Sequence, residues 1–355
     1  MDKSQFETQT RKGQLVAETL AGSWRLYPPP LSVSSEQLTE VAPLLLETGA
    51  GALGWWRIRD SHLRSTPAAR RLHDAYRMHA LQAAVHEGQV AQAVTALRSA
   101  GVTPLLAKGW AVARLYLEPG LRPYGDVDLA VPRHQEQQAQ RALESCRPGA
   151  PVDLHPGGFS YLPDRTLDEL HKRAQVATIG DVEVRTLGPE DHLRLLCLHL
   201  MKHSAWRPLW LCDVGLMVES LPSGFDWGYF LSGDRRHTAW AVCVLGLSHR
   251  LLGATLDAAP AEVAAEALEV PERLVSQVLA MWAQGHPEYE TTMIGVLRSK
   301  TGVLKGIRQR WPDRINANMR WRWPNSKSPA LPFQLASFTE RAIQFAKNRS
   351  KERAL

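Results

Sequence analysis

The chain has 355 residues, of which 44% are hydrophobic and 22% charged, a balance that argues against a disordered, fibrous or disulfide-stapled protein. No apolar run is long enough to cross a bilayer, no apolar signal segment follows Met1, and the four cysteines form no CxxC pair. These features predict a soluble cytoplasmic protein without a transmembrane segment.

The positive charge is concentrated near the carboxyl terminus. The net charge is +6, but residues 298–355 hold 14 Lys and Arg against 3 acids, a net of +11, which leaves −5 for residues 1–297. Arginines and tryptophans interleave in this tail, and such residues can bind a nucleic acid or another anionic partner, or pack against the acidic body of the chain. They are Arg308, Arg310, Trp311, Arg314, Arg320, Trp321, Arg322 and Trp323.

Hydrophobic periodicity divides the chain into four regions. Residues 1–100 are predicted to be helical, with a helix after Ser34 and one or two helices across 68–99. Residues 101–187 form an α/β core. Residues 188–297 are predicted to be a helical domain, and 298–355 a basic tail that ends in a helix from about Phe333 to Lys347.

The core region alternates between strand and helix signals. A short apolar run ends at Ala107, and Val127, Leu129 and Val131 alternate with Asp126, Asp128 and Ala130 in the pattern of a strand. A further strand is predicted at 151–155, and a hairpin across 175–185. A helix is predicted over 133–146. With the flanking helical regions, this order predicts an α+β fold with an α/β core.

Two acids on the second predicted strand carry the strongest chemical signal. Asp126 and Asp128 are two residues apart, so their carboxylates point to one face of the strand, while Val127 and Leu129 point to the other. Neighbouring carboxylates repel each other, and Mg²⁺ is a natural ion to place between them. An exposed strand end with two solvated acids would give the same pattern.

Three further features favour the metal-site alternative. Asp153 supplies a third carboxylate on a predicted neighbouring strand. Lys108 and Gly109 lie at a strand-to-helix junction, where backbone N–H groups can bind phosphate. Arg122 lies in the turn before the acidic strand. Each feature is weak alone, but this order is much less expected by chance.

The sequence resembles the uncharacterised nucleotidyltransferase family of the DNA polymerase beta-like superfamily. The resemblance rests on residues 106–109, 122–129 and 152–155 and covers roughly residues 70–220. Its helical continuation includes Pro189-Glu190-Asp191, His199, Lys202-His203 and Trp210–Asp213. One departure is Gly109-Trp110, where the superfamily has Gly-Ser, so Lys108 and backbone N–H groups would have to make the phosphate contact.

The resemblance implies a small mixed-sheet nucleotidyltransferase core that moves a nucleoside monophosphate from an NTP, expected to be ATP, to an acceptor hydroxyl. The acceptor would be a small molecule or a modified peptide from a biosynthetic process. Asp126 and Asp128 would hold two Mg²⁺ ions, and Asp153 would complete the second site and help deprotonate the acceptor. The residues implied in nucleotide binding are Lys108, Gly109, Arg122, Gly125, Lys202 and His203.

The two histidines at 199 and 203 leave several alternatives open. Their spacing places them on one helix face and can hold zinc, but no glutamate follows His199 as a metalloprotease would require. They can instead line a cleft or make hydrogen bonds inside the fold. Asp213 on the next helix is a candidate partner for either histidine or for Lys202.

Two rival functions also stay open. One is a nucleotide-binding regulatory or interaction protein that transfers nothing, although the three intact acids argue against it. The other is a nucleotidyltransferase that acts on RNA through residues 298–355, an alternative that the basic tail motivates.

Overall fold

The computed structural model describes residues 3–285, 315, 319, 321–326 and 331–352. The helices of these residues, in chain order, are α1 Lys3–Leu20, α2 Ser35–Glu47, α3 Gly51–Ile58, α4 Pro67–Ser99, α5 Gly109–Ala113, α6 Glu136–Cys146, α7 Leu167–Lys172, α8 Pro189–Lys202, α9 Pro208–Glu219, α10 Trp227–Leu231, α11 Arg235–Leu252, α12 Ala261–Leu268, α13 Glu272–Trp282 and α14 Leu331–Glu352. The strands are β1 Leu105–Ala107, β2 Val127–Val131, β3 Val152–Pro156, β4 Gln175–Ile179 and β5 Val182–Thr186.

The fold is α+β, as predicted, with a mixed sheet among many helices. In the described part of the chain the strands form one five-stranded sheet with the order β3-β2-β1-β5-β4. The β2–β3 and β1–β5 pairs are parallel, and the β1–β2 and β4–β5 pairs are antiparallel. The β2–β3 register places Asp128 directly opposite Asp153. The sheet therefore brings together two of the predicted acidic positions.

Local sequence signals explain where the main helices begin. Ser34 caps α2, and its side chain and that of Gln37 bond each other's backbone N–H groups. Proline opens both α4 and α8, where its missing N–H would have no intrahelical partner. The predicted helices at these sites are confirmed, and residues 67–99 form one helix rather than two.

Strand β2 is buried on both faces, and its two faces meet different cores. Val127, Leu129 and Val131 pack with the end of α4 in a smaller hydrophobic cluster. Ala130 belongs to the larger cluster, which is built mainly from helices. The predicted alternation of strand β2 is therefore confirmed. Because Asp128 lies in this buried strand, its carboxylate has little contact with water.

The helices before and after the sheet share one hydrophobic core. Helix α1 packs along α13, and Gly13 allows this approach because a Cβ there would lie 2.0 Å from the carbonyl oxygen of Leu279. Helix α11 packs against both α9 and α12. The N-terminal helices thus pack on the C-terminal ones, while the division at residues 100, 187 and 297 stays a prediction.

Some elements differ from the sequence-based expectation. Helix α7 was not predicted, although Thr166 and Glu169 form the capping box that marks its start. Helix α14 is longer than predicted at both ends. Arg308, Arg310, Trp311, Arg314 and Arg320 lie outside the described residues.

Near the tail, Trp240 donates a hydrogen bond to the backbone oxygen of buried Arg322 at 2.9 Å, so this residue packs inside the chain. Trp321 and Trp323 are each about half exposed. A nucleic-acid or other anionic partner for the tail stays a prediction. None of the helices in the described part of the chain combines enough length with enough hydrophobicity to span a bilayer.

Two glycine substitutions test the packing of the helices with opposite expected signs. A Cβ at Gly246 in α11 would lie 1.8 Å from the carbonyl oxygen of Ala267 in α12, so Gly246→Ala should lower the free energy of unfolding by about 1–3 kcal/mol. A Cβ at Gly88 in α4 would meet no atom within 4 Å, so Gly88→Ala should raise it by about 0.5–1 kcal/mol. Urea unfolding measures both, and equal effects of the two variants would contradict the α11–α12 packing.

Candidate active site

A cavity of about 330 Å³ opens beside the amino-terminal end of β2. Its wall combines the turn before β2 with residues from α4, α8 and the start of α9. The lining residues are Gln82, His86, Lys108, Gly109, Arg122, Pro123, Tyr124, Gly125, Asp126, Asp128, Leu196, His199, Arg207 and Trp210.

A buried carboxylate with two cationic or hydrogen-bonding partners lies at one end of this cavity. The Asp128 side chain is 2% exposed, and its Oδ1 lies 2.7 Å from Lys108 Nζ and 3.0 Å from His155 Nε2. Burial alone would raise the pKa of Asp128, but the His155 hydrogen bond and the Lys108 charge outweigh it and lower the pKa. Asp128 is therefore a carboxylate at neutral pH.

The β2–β3 register brings Asp153 and His155 close to Asp128. Asp153 faces Asp128 across the parallel pair, and His155 lies two residues later on the same face of β3. His155 Nε2 is 3.5 Å from Asp153 Oδ2. The candidate ligand atoms of the three residues lie within 4.8 Å of one another.

This donor set fits a divalent cation. Carboxylate oxygens are the ligands that Mg²⁺ prefers, whereas an imidazole nitrogen is more typical of transition metals. Asp126 precedes β2, is exposed and lines the cavity, but it is not one of the three clustered residues. Asp126, Asp128 and Asp153 stay the predicted metal ligands, and His155 joins them as a donor that the sequence analysis did not identify.

The backbone at Lys108 is held in an uncommon conformation. Lys108 has φ 51° and Gly109 φ 34°, both in the left-handed half of backbone space. A Cβ at Gly109 would lie 3.2 Å from the backbone oxygen of Asp126, so glycine leaves room for the turn before β2. Helix α5 begins at Gly109 but has only 5 residues, so its dipole adds little to phosphate binding.

His192 in α8 stabilises this conformation through a hydrogen bond with the Lys108 backbone. Its Nε2 accepts a hydrogen bond of 3.2 Å from the Lys108 backbone N–H, so this nitrogen carries no proton. Burial and the nearby cations Arg114, Arg122 and Lys108 lower the pKa of His192 to about 3. The hydrogen bond that holds the Lys108 backbone is therefore accepted by a neutral imidazole.

Arg122 lines the cavity but is already paired. Its guanidinium lies 2.9 Å from Oδ2 of the fully buried Asp213, and the Tyr116 hydroxyl donates to Asp213 Oδ1 at 2.9 Å. Asp213, a candidate partner for either histidine or for Lys202, pairs instead with Arg122 and Tyr116. Phosphate binding by Arg122 stays a prediction.

One face of α8 continues the cavity wall. His192, Leu196, His199 and His203 recur at helical spacing on this face. His199 packs against the Trp210 ring at a centroid distance of 4.4 Å, and burial lowers its pKa well below the usual value. His199 lines the cavity, which agrees with the cleft-lining alternative rather than with zinc binding or hydrogen bonding inside the fold.

Tyr161 contacts Lys108, Lys202 and His203. Its ring lies under Lys108 Nζ at 5.4 Å and under Lys202 Nζ at 4.4 Å, and its hydroxyl shares a 2.9 Å hydrogen bond with His203 Nε2. Neither Lys202 nor His203 lines the cavity. Their role in nucleotide binding stays a prediction, as does that of exposed Gly125, which does line it.

The sequence analysis missed four residues of the site. His155 was within reach of the reasoning, because residues two apart on a strand share a face. No local signal marks Tyr161, His192 or Arg207, which join the site through the packing of α8, the start of α9 and the segment after β3 around the sheet.

Comparison with known families gives a match that covers more than half of the chain. The model of a family described as "Uncharacterised nucleotidyltransferase" matches residues 34–146 and 147–253. The match therefore begins at α2, well before the resemblance read from the motifs, and it ends at the close of α11. No curated protein and no solved structure gave a match.

The pH dependence of stability tests the support of Lys108. Between pH 6.5 and about 3 the unfolded chain protonates His192 and the folded chain does not, so the free energy of unfolding should fall as the pH falls through this window. Each such histidine contributes up to about 1.4 kcal/mol per pH unit. His192→Gln keeps an acceptor for the Lys108 N–H and should make the slope shallower in urea unfolding at pH 7, 6 and 5.

The exposed His62 provides the matched control. His62→Gln should leave the slope of the wild-type chain unchanged. A His192→Gln variant with the wild-type slope would show that His192 is not held neutral in the folded chain.

Proposed function

Because the chain belongs to the uncharacterised nucleotidyltransferase family, we propose that it transfers a nucleoside monophosphate from an NTP to an acceptor hydroxyl and releases pyrophosphate. ATP is the first candidate for the donor. The acceptor in this proposal is a small molecule or a modified peptide. Family membership supports nucleotidyl transfer in general, and the residues of the site support the particular roles below.

The observation that carries the proposal is the buried Asp128 opposite Asp153, at the edge of a cavity that also holds Lys108. The parallel register fixes the two carboxylates side by side, and the 2.7 Å ion pair places a lysine charge on the inner one. A carboxylate pair held this way repels itself unless positive charge is near. Such a site is suited to divalent cations and to the polyphosphate that accompanies them.

The two carboxylates differ in burial, and this difference suggests different roles. Asp128 is 2% exposed, whereas the Asp153 side chain is 63% exposed. An exposed carboxylate can reach an acceptor that arrives from solvent, so Asp153 is the better candidate to take a proton from the hydroxyl. Asp128 and Asp126 remain on the cavity side, where the donor would bind.

Divalent cations held by Asp126, Asp128 and Asp153 would neutralise charge on the transferring phosphoryl group and favour the alkoxide form of the acceptor. His155 keeps Asp128 and Asp153 oriented through its contacts at 3.0 and 3.5 Å. Lys108 would bind a phosphate oxygen of the donor, since its Nζ lies beside Asp128 at the cavity. The Lys108 N–H already donates to His192, so a backbone contact to a phosphate oxygen at this turn would come from the Gly109 N–H.

Calorimetric titration tests the nucleotide site. We expect one of ATP, GTP, CTP and UTP, added as its non-cleavable α,β-methylene analogue, to bind only with Mg²⁺. Asp128→Asn removes the charge at nearly the same volume and should weaken this binding by about 100-fold. Asp181→Asn, in the exposed turn between β4 and β5, is the matched control and should bind as wild type does. The proposal fails when no NTP binds, or when the Asp128→Asn chain binds equally well.

A second assay separates a transferase from a nucleotide-binding protein that transfers nothing. The wild-type chain is incubated with an α-³²P-labelled NTP and a small-molecule extract. Label should appear on a new compound, and Asp153→Asn should slow its formation by about 10²-fold or more. Binding without any labelled product in the wild-type reaction would favour the regulatory rival.

A further inference from the structure

Arg207 is a cavity residue to which the sequence analysis assigned no role. It lies immediately before α9, is half-buried and lines the cavity together with Lys108 and Arg122. Burial and the nearby Arg122 lower its pKa to about 10, so its guanidinium is still charged at neutral pH. A positive charge in this position needs compensation from somewhere.

The other cations of the cavity are compensated within the fold. Lys108 is paired with Asp128 at 2.7 Å, and Arg122 is paired with Asp213 at 2.9 Å. Arg207 differs from both: the charges of Asp213 and Asp126 act on it and partly offset the lowering of its pKa, but its hydrogen bond is to the neutral backbone carbonyl of Thr48. Among the lining cations of the described residues, Lys108 and Arg122 are each in a close ion pair, and Arg207 is the one that can take an anion without giving such a pair up.

The N-terminal helices hold the Arg207 side chain in place. Its Nε donates a 2.7 Å hydrogen bond to the backbone oxygen of Thr48, the residue that ends α2. Its guanidinium lies over the Trp210 ring at 5.5 Å. Gly49 has φ +73°, a conformation that favours glycine, and a Cβ there would lie 2.3 Å from Nη2, so the guanidinium packs against this residue. With Nε occupied, the two terminal nitrogens can face an anion.

We propose that Arg207 binds the triphosphate of the donor nucleotide, an inference that rests on the proposed function. A guanidinium can bind two phosphate oxygens at once, in a fork that lysine does not offer. The ligand that matches this cavity is a polyphosphate, since Lys108, Arg122 and Arg207 all line it, and Asp126 and Asp128 line the same cavity for the accompanying cations. Arg207 acts here as a binding residue, and Thr48 and Gly49 position it.

The test uses magnesium tripolyphosphate, which carries the charge of the triphosphate without a base, and the preferred NTP analogue. Arg207→Gln should weaken binding of both by about 10- to 100-fold, because a charged hydrogen-bond donor is lost. Arg207→Lys should lose less, since it keeps the charge without the fork. Arg59→Gln is the matched control: Arg59 also stacks on a tryptophan, Trp56, at 3.4 Å and also bonds a backbone carbonyl, but it lies outside the cavity.

The outcomes separate the two proposals. Wild-type chain that binds neither tripolyphosphate nor any NTP overturns the proposed function and this inference with it. Wild-type binding that Arg207→Gln leaves unchanged overturns the inference alone. Loss of binding in Arg59→Gln to the same extent as in Arg207→Gln would also overturn it, because the effect would then not belong to the cavity.

A measurement on the unmodified sequence covers the case in which Arg207→Gln fails to fold. Phenylglyoxal modifies accessible arginines, and mass spectrometry reports each site. Magnesium tripolyphosphate should slow the modification of Arg207 by about fivefold or more, as expected for a residue with a bound anion. Equal rates at Arg207 with and without tripolyphosphate would contradict the proposal.

Discussion

The buried carboxylate of Asp128 is the constraint to which the surrounding structure responds. A charge in a doubly buried strand is costly unless it is paired, and Lys108 and His155 supply its partners at 2.7 and 3.0 Å. Each partner is fixed in turn: His155 by the β2–β3 register, and Lys108 by the His192 hydrogen bond to its backbone. The strained turn at Lys108 and Gly109 is tolerated because these contacts determine it. The site is therefore preorganised by the fold rather than by any single loop.

The helices that flank the sheet are part of this preorganisation. Helix α8 contributes Leu196 and His199 to the cavity lining, and the start of α9 contributes Arg207 and Trp210. Thr48, at the end of α2, holds Arg207 through a backbone carbonyl. The N-terminal helices share the hydrophobic core of the C-terminal ones, so the cavity wall is fixed on both sides.

Much of the fold was readable from the sequence because its signals are local. The capped helix after Ser34, the long helix before Gly101, the alternation of β2 and the β4–β5 hairpin all depend on neighbouring residues. The acidic strands were found for the same reason. What sequence reasoning missed depends on tertiary packing: Asp213 pairs with Arg122 rather than a histidine, and Lys202 lies over the Tyr161 ring. His155 is the exception, since the same-face rule that placed Asp126 with Asp128 also places it with Asp153.

The most direct test of the central claim is a crystal structure of the chain with Mg²⁺ and the non-cleavable analogue of the preferred NTP. We expect metal density in contact with the carboxylates of Asp128 and Asp153. We also expect Lys108 Nζ to leave Asp128 for a phosphate oxygen, and the triphosphate to lie against Arg207. A nucleotide bound elsewhere, or bound in the cavity while Lys108 stays paired to a metal-free Asp128, would contradict the central claim.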